Sequence, residues 1–382
     1  MIFVNDLWSI SEIPQWLRHA TKDQDMLGLA DVVFPCFLFV VGMSIPFAIE
    51  RRFSKGLSGV STLGHILTRS LALLLMGVFL VNTEAGVSPT TGLTKTSYTI
   101  LSIVGFLLVW NVYPRTENKN TKRLYTVLKG LGLLLLLYLA ITFRDGKGGV
   151  FQAHWWGILG QIGWTYLICA TIYLFTRNRL KYLIPIWLAF IALCILKAPM
   201  HDGSAILELP QENFLDQLIR ILHIGNGALP VFVLGGVILS LALTKYAHIS
   251  SGKKTAFTLS VALVVLAAGF VTNQLWIISK LQRTPPWVFF CIAISIGAYA
   301  VIAWLDQRGK AHWFNLIKTA GTATLTCYLM PYVVYSLMVI VGFRLPEWLT
   351  VGWLGILKCT VFAFAIVGIT YLLGKLYIKL KI

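Results

Sequence analysis

Eleven apolar stretches, most about twenty residues long, recur along this chain, and that length is what an α-helix needs to cross roughly 30 Å of hydrocarbon. No water reaches a backbone group there, so only a helix or a closed barrel can satisfy its own N–H and C=O groups. The in-and-out alternation of barrel strands is missing from these runs. The expected fold is therefore all-α, a polytopic integral membrane helix bundle. Its full spans fall near 30–49, 63–83, 96–113, 125–143, 156–176, 181–198, 225–245, 256–279, 286–305, 315–341 and 351–377. The opening residues 1–8 read as the outer end of one more helix whose start is missing, because eight residues rise only about 12 Å. A cleaved signal peptide would need a basic leading region and a small-residue cleavage site, and this end carries neither. Of 382 residues, 57% are hydrophobic and 12% charged, which leaves too little polar surface for a soluble fold. The longest connection, about 199–224, is too short for a core of its own, so residues 1–382 are expected to form a single transmembrane domain.

Lysine and arginine set the expected orientation. Nineteen of the 32 fall in the connections and tail at 51–55, 115–123, 177–181, 245–254, 308–318 and 375–381, against ten on the opposite side. The richer side, with the C-terminus, is expected to face the cytoplasm of a bacterial inner membrane. The net charge of +17 thereby has a topological cause, and no basic stripe interleaved with aromatics stands outside the spans to bind nucleic acid. The six cysteines lie in or beside spans without paired ligand spacing, so neither disulfides nor a metal site is expected. Nor do His65, His154, His201, His223, His248 and His312 share a spacing suited to a metal.

Ionisable groups in or beside spans are costly to place and so mark candidate sites. Asn5, Asp6, His19 and Asp31 gather around the first outward loop, with Arg18, Lys22, Asp23 and Asp25 between them. His19 has the chemistry of a proton acceptor or nucleophile, since imidazole titrates near about 6.5 and a carboxylate such as Asp31 can orient the ring. Two plainer readings stay open: His19 as an exposed loop histidine, and Asp31 as the N-cap of its helix. Arg69 lies about two turns inside its span, where a guanidinium can pair with a phosphate or instead snorkel to the interface. Gly225-Asn226-Gly227 and Gly235-Gly236 suit close helix packing. Neither a Walker sequence, a dinucleotide fingerprint nor a Gly-x-Ser-x-Gly elbow occurs.

The run Trp16-Leu17-Arg18-His19-Ala20, followed by Gly28-Leu29-Ala30-Asp31-Val32-Val33-Phe34-Pro35-Cys36 and on to Gly42-Met43-Ser44-Ile45, resembles the signature of the heparan-alpha-glucosaminide N-acetyltransferase family and its bacterial relatives. The opening stretch ending in Asn5 resembles the end of that family's first membrane helix. Thr68-Arg69-Ser70, Leu80-Val81-Asn82 and, more weakly, Ile278-Ser279-Lys280 extend the likeness. It is strong over about the first quarter of the chain and diffuse beyond. The family's Asp-x-x-Arg-Gly element is absent, its late Gly-x-Asn element is met only by Gly321-Thr322-Ala323-Thr324, and the stretch 150–198 reads as an additional helical pair.

The resemblance implies a transmembrane acetyltransferase that takes acetyl-coenzyme A as donor from the cytoplasm and an amino sugar or glycan as acceptor from the other face. It implies His19 as the catalytic residue, acting as general base or acetyl carrier, with Asn5 beside the acetyl-transfer site. From residue chemistry beside the resemblance, Asp31 is expected to orient the imidazole, and Arg69, with Arg51 and Arg52, to meet the donor's phosphates. The lipid bilayer is the other partner, and a homodimer is compatible with this reading. The alternative from another class is a secondary transporter of a small solute or sugar, which often carries two related halves and midplane polar residues.

Overall fold

The computed structural model of the chain describes residues 1–153, 156–208, 213–246 and 250–382, so that His154 and His248 lie outside the described residues. Where the sequence is apolar over a bilayer's thickness, it is helical. Among the described residues ten helices are long and apolar enough to cross a membrane: Leu29–Ser54, Gly59–Ala85, Lys119–Thr142, Gly157–Thr176, Leu180–Lys197, Ala228–Lys245, Ser251–Thr272, Pro285–Gln307, Thr324–Val341 and Gly352–Lys375. The protein is a polytopic membrane helix bundle. The Ser251–Thr272 helix turns Leu263, Val264, Phe270 and Val271 outward, as a helix facing lipid does.

Three of the expected spans are redrawn. The run at 96–113 forms the shorter helix Lys95–Trp110, sixteen residues or about 24 Å, started by the Thr94 hydroxyl, which accepts from the Ser97 amide. It stops before Tyr113, whose following proline disfavours helical backbone. The run at 256–279 starts earlier, at Ser251, and ends at Thr272, freeing 273–284 as a connection. The run at 315–341 is interrupted at Ala323 (φ −128°, ψ 43°), so that Lys318–Thr322 is a separate turn of helix before Thr324–Val341. Residues Ile2–Asp6 are helical, followed by a single tight turn, Leu7–Ser9.

The chain divides into two compact units. The first comprises Met1–Ile13, Thr68–Gly163 and Trp313–Ile382, and the second Pro14–Leu67 and Trp164–His312. In the first, Lys95–Trp110 packs on Lys119–Thr142 and on Thr324–Val341. The opening helix Ile2–Asp6 packs on Gly352–Lys375.

In the second unit the Leu29–Ser54 helix lies against Ala228–Lys245 at backbone contact. A Cβ on Gly42 would fall 1.9 Å from the Val233 carbonyl oxygen, and one on Gly236 would fall 2.0 Å from that of Phe39. Small residues matter here because lipid gives no hydrophobic gain for pairing two apolar helices, and close packing must supply the attraction instead. The expectation that Gly235-Gly236 serves packing is met at Gly236. Leu38, Phe39 and Ile45 of the one helix and Val231, Phe232, Val233 and Leu234 of the other are buried. All six cysteines are free thiols, five of them buried.

Candidate functional site

The site in the second unit begins with a proline. Pro35 has no N–H, so the carbonyl of Asp31, four residues earlier in the Leu29–Ser54 helix, has no helical partner. That carbonyl accepts instead from the indole Nε1–H of Trp287 at 3.1 Å, which ties the start of this helix to the first turn of Pro285–Gln307. Trp287 is fully buried. One turn of helix is thus fixed from behind while its carboxylate points forward.

The Asp31 side chain, 2% exposed, is shared between two donors. Oδ2 accepts from the Ala20 amide at 2.9 Å, and Oδ1 lies 2.6 Å from His19 Nδ1. A carboxylate against Nδ1 fixes the tautomer, since Nδ1–H donates to it and Nε2 is left with its lone pair. The His19 side chain is 56% exposed. The ring is therefore oriented by a buried acid and open to a reactant, which is the arrangement a general base or acyl carrier requires.

The expectation that Asp31 caps its helix is corrected by this geometry. Gly28 holds the N-cap position and Asp31 is the third helical residue, its carboxylate committed to the 18–20 segment. Gly28 is there for space: a Cβ would fall 1.8 Å from the Arg18 carbonyl oxygen, so the loop can fold back over the helix start only without a side chain.

A second loop completes the site. Residues 18–28 and 273–284 are tied together by Asp25 Oδ1, which accepts from the Ile278 amide at 2.7 Å, and by the Lys22 carbonyl, which accepts from Ser279 Oγ at 3.2 Å and Gln282 Nε2 at 3.0 Å. These bonds bring Lys280 Nζ to 3.3 Å from His19 Nδ1 and 3.8 Å from Asp31 Oδ1. Burial pulls the Lys280 ammonium below the ordinary lysine range, with the Asp31 carboxylate opposing. The sequence offered Lys280 only as one residue of a weak motif and one charge of an outward loop.

Arg51 and Arg52 occupy the last turn of the same Leu29–Ser54 helix, twenty residues from Asp31 or about 30 Å, so they stand at the opposite end from His19. Arg51 is exposed, and Arg52 Nη2 donates to the Ser61 carbonyl at 3.2 Å. Asn5 and Arg69 belong to the first unit: Asn5 is exposed on Ile2–Asp6, and Arg69 is half-buried about 15 Å into Gly59–Ala85.

The first unit holds a cluster of which sequence spacing singled out only Asp6. Asp6, fully buried, accepts from Lys358 Nζ at 2.9 and 3.0 Å and from the Tyr335 hydroxyl, while Lys358 Nζ also donates to Ser9 Oγ at 2.6 Å. Every polar atom of this ion pair is engaged, which is the condition for a charge to survive burial.

Residues 9–206, just over half of the chain and including the whole 18–31 segment, match the family described as "Domain of unknown function (DUF5009)". The chain belongs to the DUF5009 family. It is also similar to the heparan-alpha-glucosaminide N-acetyltransferase of Mus musculus, at 38% identity over 63 residues. That stretch is 16% of the DUF5009 chain and 10% of the mouse protein, so the relationship is distant and the likeness spans a small part of either molecule.

Proposed function

We propose that this DUF5009 protein is a membrane acetyltransferase in which His19 Nε2 is the reacting nitrogen, moving an acetyl group from acetyl-coenzyme A to an amino sugar or glycan. The observation that carries the reading is the His19–Asp31 pair, a buried carboxylate 2.6 Å from Nδ1 of a ring that is itself half exposed. The distant likeness to an N-acetyltransferase supplies the acyl group.

In the direct route the acceptor's amine or hydroxyl attacks the thioester carbonyl while His19 Nε2 takes its proton. The C–S bond then breaks, and the imidazolium returns the proton to the departing thiolate. In the relay route Nε2 itself attacks the thioester carbonyl and the C–S bond breaks, releasing the coenzyme A thiolate and leaving the acetyl group on the ring as an acetyl-imidazole. The acceptor's amine or hydroxyl then attacks that acetyl carbonyl, the bond to Nε2 breaks, and the acceptor's proton goes to the thiolate. Asn5 beside the developing oxyanion is part of this proposal on the strength of the resemblance, and Arg69 with Arg51 and Arg52 as phosphate partners on the strength of guanidinium chemistry. So is a cytoplasmic approach of the donor.

The test is acetyl transfer from labelled acetyl-coenzyme A by the purified full chain against a panel of amino sugars. A labelled sugar is expected from the wild type, and loss of nearly all transfer in a well-folded His19→Ala variant that still binds donor. A folded His19→Ala protein that keeps most of its turnover would return His19 to an exposed loop histidine. Parallel double-reciprocal lines would select the acetyl-imidazole, and intersecting lines direct transfer.

A further inference from the structure

A carboxylate next to a histidine creates a conflict. Asp31 fixes the ring, yet an anion at 2.6 Å also stabilises imidazolium, the form that can neither accept a proton nor attack an acyl group. A second charge of opposite sign at similar distance would resolve it. The loop pairing delivers one across 261 residues of sequence, the ammonium of Lys280.

We infer that Lys280 is a positioning residue of this site, whose ammonium at 3.3 Å from Nδ1 and 3.8 Å from Asp31 Oδ1 keeps the His19 imidazole in its free-base form while Asp31 keeps it oriented. With neutral His19, the carboxylate and the ammonium cancel. Adding a proton to the ring sets two cations side by side, so the gain from Asp31 is met by a repulsion of comparable size and opposite sign. Lys280 is 25% exposed, less than half the value for His19, so water screens its charge only partly.

The other titratable groups of the surroundings do not serve this purpose. Arg18, Lys22 and Asp23, on the loop that carries His19, are exposed. Asp25 is engaged with the Ile278 amide. From Pro285–Gln307 the Cys291 thiol reaches the Asp31 carbonyl at 3.9 Å. Among the described residues of this unit, Asp31 and Lys280 are the two charges seen against the ring. Their placement is also costly in backbone arrangement: Asp25, Ser279, Gln282 and the Lys22 carbonyl all serve to hold the 273–284 loop where Lys280 meets Nδ1.

The inference deepens the reading of His19 as the reacting group, but its measurement uses no acyl donor, so the two can fail separately. The detergent-purified full chain is treated briefly with diethyl pyrocarbonate, which modifies the free-base imidazole, from about pH 5 to 8. The fraction of the His19 peptide modified is read by mass spectrometry. Lys280→Met and Lys280→Gln are expected to move the midpoint up by about one pH unit, because Asp31 is then unopposed. Lys280→Arg, which keeps the charge, should stay near the wild-type midpoint, and Asp31→Asn should move it down. Size-exclusion elution checks that each variant is folded, and the Gln variant answers the question if the Met variant aggregates. A wild-type midpoint in both neutral variants, or an Arg variant that behaves like them, would overturn the inference even if His19 proves to carry acetyl transfer. The expected shifts in a protein that acetylates no sugar would uphold it and remove the acyltransferase reading.

Discussion

Asp31 Oδ1 stands 2.6 Å from His19 Nδ1 while its other oxygen takes the Ala20 amide, so one buried carboxylate fixes both the ring and the backbone beside it. Asp31→Asn keeps the volume but removes the anion that selects the Nδ1–H tautomer. Acetyl transfer is expected to fall about a hundredfold or more, with donor affinity little changed. Initial rates at saturating acetyl-coenzyme A measure this, and a folded Asn variant with wild-type turnover would reduce Asp31 to an anchor for the 18–20 segment.

Gly28→Ala places a methyl group where the Arg18 carbonyl now lies, 1.8 Å from its oxygen. The loop over the helix start must shift, at a cost of about 1–3 kcal/mol. A lowered melting temperature and a loss of transfer are expected together. An alanine variant with unchanged melting and activity would mean that the loop can close in another way.

Removing one partner of the Asp6–Lys358 pair leaves a buried charge alone, at about 3–5 kcal/mol, whereas removing both leaves none. The losses of Asp6→Ala and Lys358→Met should together exceed the loss of the double variant. Unfolding curves of the two single variants and the double variant form the cycle. Additive losses would show that the two side chains stabilise the fold independently.

Arg69→Ala is expected to raise the apparent KM for acetyl-coenzyme A more than that for the acceptor, because a phosphate partner contributes to ground-state binding of its own ligand. Arg69→Lys should recover only part of the loss, having a point charge without the guanidinium fork. A change confined to the acceptor would remove Arg69 from the donor site.

From the charge bias of the connections, Lys55 is expected on the cytoplasmic face. A cysteine at position 55 should react with an impermeant thiol reagent only after the membrane is opened. Labelling of intact cells would invert the assigned orientation.

Hydropathy determined the helices, because it sums over neighbours in sequence and a span is a local object: an apolar run such as 286–305 is already the Pro285–Gln307 helix to within two residues at either end. Ends were harder to read where the backbone rather than composition decides. Ala323 breaks the run read as 315–341, and the run read to 279 leaves the helix at Thr272, where 273–284 is bonded to the 18–28 loop. His19 and Asp31 could be paired in advance, being 12 residues apart across a single loop.

What only the tertiary structure decided are the charges that meet across the chain. Lys280 comes to His19 from 261 residues away, and Lys358 to Asp6 from 352. Sequence marks such a residue only as costly to bury. Whether the cost is met, and by which opposite charge, depends on which helices and loops pack together, and for Lys280 that is fixed by hydrogen bonds between two loops that no local pattern connects.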